Sequence, residues 1–279
     1  MDPALAWSVS AIEEAVEVLA GKSIAVLTGA GVSTDSGIPD YRGEGTPRRT
    51  PMSFRQFVDD DERRERYWAG SHLGWRRFTD AKPNDGHLAL AELERVGVIR
   101  GVLTQNVDDL HRRAGSARVI ELHGAMNSVL CLSCGQLFSR DDIAARLTES
   151  NPWLDLPDDV VLLPDGDVDV RRMAGFTIPD CTNCGGMLKP DVVFFGELIP
   201  KPRFDAAAAV VREADALLIA GSSLAVNSGI RLLDLAARLN HPVVIINRGP
   251  TKGDNRATVR LEAGTTQALA ALAESLKGA

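Results

Sequence analysis

All four cysteines of the 279-residue chain fall into two Cys-x-x-Cys pairs, Cys131/Cys134 and Cys181/Cys184, and a glycine (Gly135, Gly185) follows each pair at once. At this spacing each pair offers two thiolates to one ion, and two pairs make a four-thiolate zinc shell. Such a shell has no open position for water or substrate, so the ion would be structural. No thiol is left over. The first residues, with Asp2, Glu13 and Glu14 nearby, lack the basic and apolar regions of a signal peptide. The chain is therefore expected to be cytoplasmic, where disulfides are rare and metal is favoured. The alternative for the same residues is a redox dithiol pair.

The surrounding pattern is α/β. Short apolar runs at Ser23 to Leu27, Val98 to Leu103, Val119 to Leu122, Ala216 to Ile219 and Val243 to Ile246 have strand length. Helical spacing marks Ala11 to Ala20, Leu88 to Val96 and Gly229 to Leu239. Strands alternating with helices give a doubly wound parallel sheet whose ligands sit at the strand C-termini. Two stretches interrupt the alternation. One, Gly43 to Pro83, is charged and aromatic and reads as a helical excursion; the other, Ser128 to Lys189, carries both cysteine pairs and a short helix near Asp141 to Leu147. The expected division is a larger domain of residues 1–44, 84–127 and 190–279, with a smaller domain made from insertions 45–83 and 128–189.

Composition excludes some partners. Apolar runs such as Ala214 to Ala220 are far short of the roughly 20 residues of a membrane helix. A formal charge of −7 gives no electrostatic footprint for nucleic acid. Between the pairs, Asp155, Asp158, Asp159, Asp165, Asp167 and Asp169 would repel phosphate. The triplet Asp165, Asp167 and Asp169 resembles the start of a calcium loop but lacks the distal glutamate, which favours a solvated turn.

Candidate chemistry lies at the expected strand ends. Gly29-Ala30-Gly31 follows the first strand and would let backbone N–H groups approach a pyrophosphate. Thr34 stands where a third glycine of a dinucleotide fingerprint would be, and a tight turn explains the same residues. Beyond it, Ile38-Pro39-Asp40-Tyr41-Arg42 is an ordered loop presenting an acid, an aromatic and a guanidinium, since Pro39 biases Ile38 away from helix. Gln105, Asn106 and Asp108 offer hydrogen bonds to ribose or amide groups; Asn106 or Asp108 could equally serve as an N-cap before Asp109 to Arg113. His123 ends the strand before Gly124. A lone histidine there is a general base or a structural hydrogen-bonder. His72, His87, His111 and His241 have no comparable surroundings in the sequence.

In combination, Gly29 to Ser33, Ser36 to Arg42, Thr104 to Asp108, Glu121 to Gly124, the cysteine pairs, Lys189 to Glu197, Gly221 to Leu224 and Ile246-Asn247 strongly resemble the sirtuin family, over nearly the whole chain. Pro164 to Asp167 and Arg66-Tyr67-Trp68 look like its class II branch, here of bacterial type. The resemblance implies a Rossmann-like NAD-binding domain, one structural zinc, and an NAD-consuming protein-lysine deacylase. Gly29, Ala30, Gly31, Asp40, Tyr41 and Arg42 would hold the pyrophosphate and nicotinamide end. Gln105, Asn106, Val107 and Asp108 would hold the nicotinamide ribose and carboxamide, with Asn106 and Asp108 counted as catalytic. Gly221, Ser222, Ser223, Asn247, Arg248, Gly249 and Thr265 would take the adenosine half. Val193, Phe195, Gly196, Glu197 and Val226 would hold an acyl-lysine peptide as an added strand.

The implied reaction begins with attack of the acyl-lysine amide oxygen on the ribose, which expels nicotinamide. His123, as general base, then lets the 2′-oxygen capture the acyl carbon, giving free lysine and O-acyl-ADP-ribose. A branch preferring acidic acyl groups carries Tyr-x-x-Arg, whereas here Gly70 stands at that spacing from Tyr67. This disfavours succinyl and malonyl, and leaves acetyl, lipoyl and long apolar chains. The alternatives are protein mono-ADP-ribosylation from the same NAD and a non-catalytic NAD-sensing or zinc-scaffold module.

Overall fold

A computed structural model describes residues 9–40, 51–154 and 175–278. In chain order its elements are α1 (Val9–Leu19), β1 (Ile24–Thr28), α2 (Phe54–Asp59), α3 (Asp61–Asp80), α4 (Asp85–Arg95), β2 (Ile99–Thr104), α5 (Leu110–Arg113) and β3 (Val119–Glu121). Then come β4 (Gly124–Cys131), β5 (Leu137–Ser139), α6 (Arg140–Ser150), β6 (Leu188–Val192), α7 (Lys201–Glu213), β7 (Ala216–Ala220), α8 (Asn227–Arg238), β8 (Val243–Asn247), β9 (Val259–Glu262) and α9 (Thr265–Leu276).

Six parallel strands form one sheet in the order β3-β2-β1-β7-β8-β9. The buried runs read from the sequence are its first five members; β9 is a sixth, too short and too polar at Arg260 and Glu262 to show as an apolar run. Alternation along each strand sorts the side chains into two cores. Ile24, Val26, Leu218, Val244 and Ile246 face α1, α4 and α9. Ala25, Leu27, Leu217, Ile219 and Ile245 face α7 and α8. Burying each such Val, Leu or Ile stabilises by roughly 1.5–3 kcal/mol, which explains why strands covered on both faces are almost wholly apolar.

Chain order reverses between β1 and β7, and a crevice for ligand opens at that point of a doubly wound sheet. Two features fix the loops there. Gly221 has φ +63°, and a Cβ on it would lie 2.5 Å from Val32 N and 2.7 Å from Gly31 C. A Cβ on Gly29 would lie 2.7 Å from the Gly221 carbonyl oxygen. The loops after β1 and β7 therefore touch backbone to backbone.

The second sheet is small and antiparallel, in the order β5-β4-β6. It packs on the first insertion through a largely aromatic core. Phe57 of α2 and Tyr67 and Trp68 of α3 join Val129 and Cys131 of β4, Ile143 and Leu147 of α6, Cys181, Leu188 and Phe194. Tyr67 meets Phe194 edge-on at 5.0 Å and Phe57 edge-on at 5.6 Å. The fully buried Arg140 guanidinium lies over Trp68 and Trp75, at 5.3 and 5.1 Å from the ring centroids. The antiparallel strands run from Gly124 to Val192, a few residues beyond the insertion bounds expected from sequence.

Candidate active site

Every strand of the large sheet delivers polar residues to its C-terminal end. After β2 the chain turns through Gln105, Asn106, Val107 and Asp108. Asn106 is buried and its Nδ2 donates to Gly29 O (3.1 Å) and Ser33 Oγ (3.0 Å). Ser33 Oγ in turn donates to Asp108 Oδ2 at 2.6 Å, and Leu110 N–H donates to Asp108 Oδ1 at 3.0 Å. Asp108 thus accepts from the first N–H of α5, one residue ahead of the N-cap Asp109, and closes a buried chain reaching the glycine loop. Burial pushes its carboxyl pKa up, opposed by the Ser33 hydrogen bond.

The glycine loop itself differs from the expected phosphate cradle. Gly29 N–H donates to Ala220 O (3.1 Å) and Gly31 N–H to Gly221 O (2.9 Å), so both amides are taken by protein. The turns that follow, Ala30–Val32 and Thr34–Ser36, are single 3-10 turns rather than the start of a long helix. The glycines are required first by the close approach of two loops. Asn84, the N-cap of α4, anchors this loop by donating to Val32 O (2.8 Å) and Ser36 Oγ (3.0 Å). Asp40 is half-buried beyond it; Tyr41 and Arg42 lie outside the described residues, as do Pro164 to Asp167.

His123 follows β3 and is held at both ring nitrogens. Nδ1 lies 2.9 Å from the Gln105 carbonyl oxygen and Nε2 lies 3.1 Å from Ser228 Oγ. A carbonyl only accepts, so Nδ1 carries the proton and Nε2 keeps its lone pair. Burial, with the Arg203 guanidinium adding in the same direction, pushes the pKa below 6.5 against the Gln105 hydrogen bond. The imidazole is neutral at pH 7, with a basic nitrogen at the crevice.

From β7, the Ser222 hydroxyl donates to Gln105 Oε1 at 2.6 Å. Ser223, in the same loop, accepts Lys252 N–H on its carbonyl oxygen at 3.1 Å. Asn247, at the end of β8, is buried and turns its Nδ2 onto Arg248 O (2.7 Å) and Gly249 O (2.9 Å). Thr265, opening α9, donates its hydroxyl to Gly31 O at 3.0 Å. These residues lie at or just beyond the C-terminal ends of β7, β8 and β9.

On the small-domain side, Val193 N–H donates to His123 O (2.8 Å) and Phe195 O accepts Phe54 N–H (3.0 Å). The Lys189 ammonium is buried and donates to Pro190 O (3.3 Å), Val192 O (2.5 Å) and Glu197 Oε2 (3.2 Å). Glu197 Oε2 also accepts Phe194 N–H at 2.9 Å. Glu197 therefore shapes this loop from within, while Phe195 and Leu198 are its exposed apolar members, and Val226, the N-cap residue of α8, is also exposed.

The four cysteine sulfurs gather at one point. Cys131 and Cys184 are 3.6 Å apart, Cys134 and Cys181 3.8 Å, and all four lie within 4.8 Å of one another. A disulfide needs about 2.05 Å. Thiolates about 2.3 Å from a tetrahedral zinc stand about 3.8 Å apart, which is the spacing seen. Gly135 and Gly185 have φ +75° and +70°, and just after them the backbone N–H groups of Gln136 and Gly186 bond the Cys134 and Cys184 sulfurs. The Gln136 N–H, ahead of the Asn183 side chain, holds the Cys134 thiol down to about 6. This donor set fits zinc.

Three features escaped the sequence. Ser228, the buried second residue of α8, sits against His123 with no motif to mark it. Lys189 was visible only as part of a run of matching residues. His111 bonds Thr28 Oγ1 at 2.9 Å and packs on His87 with ring centroids 4.8 Å apart, although neither had a recognisable neighbour in sequence.

A doubly wound parallel sheet whose switch-point loops meet a neutral imidazole, joined to a small antiparallel sheet with a four-thiolate cluster, defines a Rossmann-like α/β protein of the dinucleotide-binding type. The profile of the Sir2 family matches residues 29–228, and the chain belongs to that family. A Mycobacterium avium (strain 104) protein named NAD-dependent protein deacetylase 1 is 51% identical over 267 residues, covering 94% of this chain and 95% of that one. A protein of the same name from Streptomyces coelicolor is 46% identical over 288 residues, covering 99% and 96%. The solved structure described as "Sir2-p53 peptide-NAD+" superposes with a TM-score of 0.78 at 31% identity, covering 94% and 97%.

Proposed function

We propose that this chain is an NAD-dependent protein-lysine deacetylase acting in the cytoplasm, with His123 as its general base. One observation carries the assignment of roles: His123 stands at a strand end of the crevice, neutral, with Nδ1 tied to Gln105 and Nε2 facing the site. The names of the relatives support the activity, and the sheet-end position of the polar residues supports the placement of the cofactor.

NAD, as co-substrate, would supply a ribose carbon open to the acyl-lysine oxygen once nicotinamide leaves, and a ribose hydroxyl to take the acyl group. Ala30, Asp40, Gln105, Asn106, Val107 and Asp108 would surround its nicotinamide half, together with Tyr41 and Arg42. Gly221, Ser222, Ser223, Asn247, Arg248, Gly249 and Thr265 would surround the adenosine half. The crevice fits such a molecule: Asn106, Asp108, Ser222, Asn247 and Thr265 are polar side chains held buried at the strand ends. There a low local dielectric strengthens every hydrogen bond made to the ligand.

Val193, Phe195 and Gly196, shaped by Glu197 and faced by Val226, would receive an extended acyl-lysine peptide through backbone hydrogen bonds. Half of Phe195's surface is open, at 48% relative exposure, beside a loop whose interior is fixed by Lys189. Tyr67 is sealed between Phe57 and Phe194, with Gly70 in place of a cation one turn on. This favours acetyl and apolar acyl groups over acidic ones. We also take residues 45–83 and 128–189 to act as one small domain, since a single aromatic core joins them.

The test is an acetyl-lysine peptide incubated with NAD and analysed by mass spectrometry. The expected products are nicotinamide, free lysine peptide and acetyl-ADP-ribose, and His123→Ala abolishes their formation while zinc content and circular dichroism persist. An ADP-ribosylated protein in place of acetyl-ADP-ribose, or full activity in His123→Ala, would overturn the assignment.

A further inference from the structure

Ser228 belongs to no motif read from the sequence, yet its hydroxyl closes a ring of hydrogen bonds around the imidazole. The donors and acceptors can be followed without ambiguity. Leu224 N–H donates to Ser222 Oγ (3.2 Å), and the Ser222 hydroxyl donates to Gln105 Oε1 (2.6 Å). That leaves Gln105 Nε2 as a donor to Ser228 Oγ at 3.3 Å. The Ser228 proton is then directed at His123 Nε2, 3.1 Å away, while His123 Nδ1–H returns to the carbonyl of the same Gln105, 2.9 Å away. Turning the Gln105 amide over would make Ser228 donate to glutamine and leave two acceptors facing each other at Nε2.

Packing keeps the ring in place. Ser228 is 4% exposed at the start of α8. The next residue is Gly229, where a Cβ would sit 2.8 Å from Leu224 Cδ2 and 3.4 Å from Gln105 Nε2. The helix start therefore comes close to Gln105 at a position without a side chain.

We propose that Ser228 is a positioning residue for His123: with Gln105 it locks the ring orientation and presents Nε2 as the hydrogen-bond acceptor aimed into the crevice. This rests on His123 being the base for acyl transfer. When a substrate hydroxyl approaches, Ser228 rotates its proton away from Nε2. Its oxygen, still held by Gln105, then accepts from the Nε2–H that forms.

Two readouts test this. In the ligand-free protein labelled with ¹⁵N-histidine, NMR of the wild type should show His123 as the Nδ1–H tautomer with a hydrogen-bonded Nε2. In Ser228→Ala the Nε2 resonance should move toward the value of an unbonded acceptor nitrogen. In the enzyme, Ser228→Ala should lower kcat for acyl-ADP-ribose formation about tenfold, part of the roughly 100- to 10,000-fold a placed general base supplies. NAD KM and the exchange of labelled nicotinamide, which precede the base's step, should hold, and Ser228→Thr should restore kcat. An unmoved Nε2 resonance would sink the proposal. So would a fall in nicotinamide exchange matching that in acyl transfer, a rise in NAD KM with kcat unchanged, or a threonine variant as slow as alanine. Failure of the underlying assignment is distinguishable, because His123→Ala would then still transfer the acyl group.

Discussion

His87 is wholly buried in α4 against His111, and burial pushes its pKa down to about 4. In the unfolded chain the value is about 6.5, so acid protonates the unfolded chain first. Stability supplied by the neutral ring is complete above pH 6.5 and is lost as pH falls from there toward 4. The full difference, at about 1.36 kcal/mol per pH unit, is roughly 3 kcal/mol, of which about 2 kcal/mol is gone at pH 5. His87→Gln removes this titration. It also removes the bond to Asn84 N–H, a loss that does not vary with pH. Urea unfolding with zinc present should therefore show the wild-type advantage over the variant shrinking by about 2 kcal/mol between pH 7.5 and 5.0. Protonation of carboxylates and of zinc ligands affects both proteins and cancels in the difference. A constant gap would refute the argument, since it would mean that the folded chain takes up the proton at His87 as readily as the unfolded one.

Three other outcomes follow from the packing. Cys131→Ser should reduce zinc from one ion per chain toward none by elemental analysis and lower Tm, because its sulfur closes the shell beneath the aromatic core. Gly221→Ala should destabilise by about 3 kcal/mol or more in urea titration, combining φ +63° with overlap onto Val32 and Gly31 backbone atoms that cannot swing aside. Lys189→Met leaves the buried side of Glu197 and two carbonyls without their cation, at about 3–5 kcal/mol. It should also raise the peptide KM while leaving the NAD KM unchanged, as read from initial rates.

Much of the site was legible because its chemistry is local. Two thiols three residues apart reach one ion whatever the rest of the chain does, so Cys131, Cys134, Cys181 and Cys184 needed only proximity. Polar residues directly after apolar runs gave Gln105, Asn106, Asp108 and His123, since parallel strands share one C-terminal end. The glycine loop follows β1 as expected, but the Gly29 and Gly31 amides, expected to approach a pyrophosphate, donate to Ala220 and Gly221. Those partners lie at the end of β7 and in the loop after it, remote in sequence, and nothing near Gly29 signals them. The strands β4, β5 and β6 were missed for a related reason. Gly124 and Asn127 interrupt the apolar pattern in β4, and Lys189-Pro190-Asp191 in β6 reads as polar, although Lys189 and Pro190 are buried.

Local order along the chain determined the parallel sheet, its ligand-bearing edge and the thiolate shell, because each follows from hydrophobic period, strand direction or ligand spacing. Only the tertiary structure decided which nitrogen of His123 bears the proton, that Ser228 faces the other one, and that His87 and His111 are neutral partners in the interior. Those facts depend on donors and acceptors brought within about 3 Å from distant segments, and on how completely water is removed around them. A one-dimensional pattern carries neither.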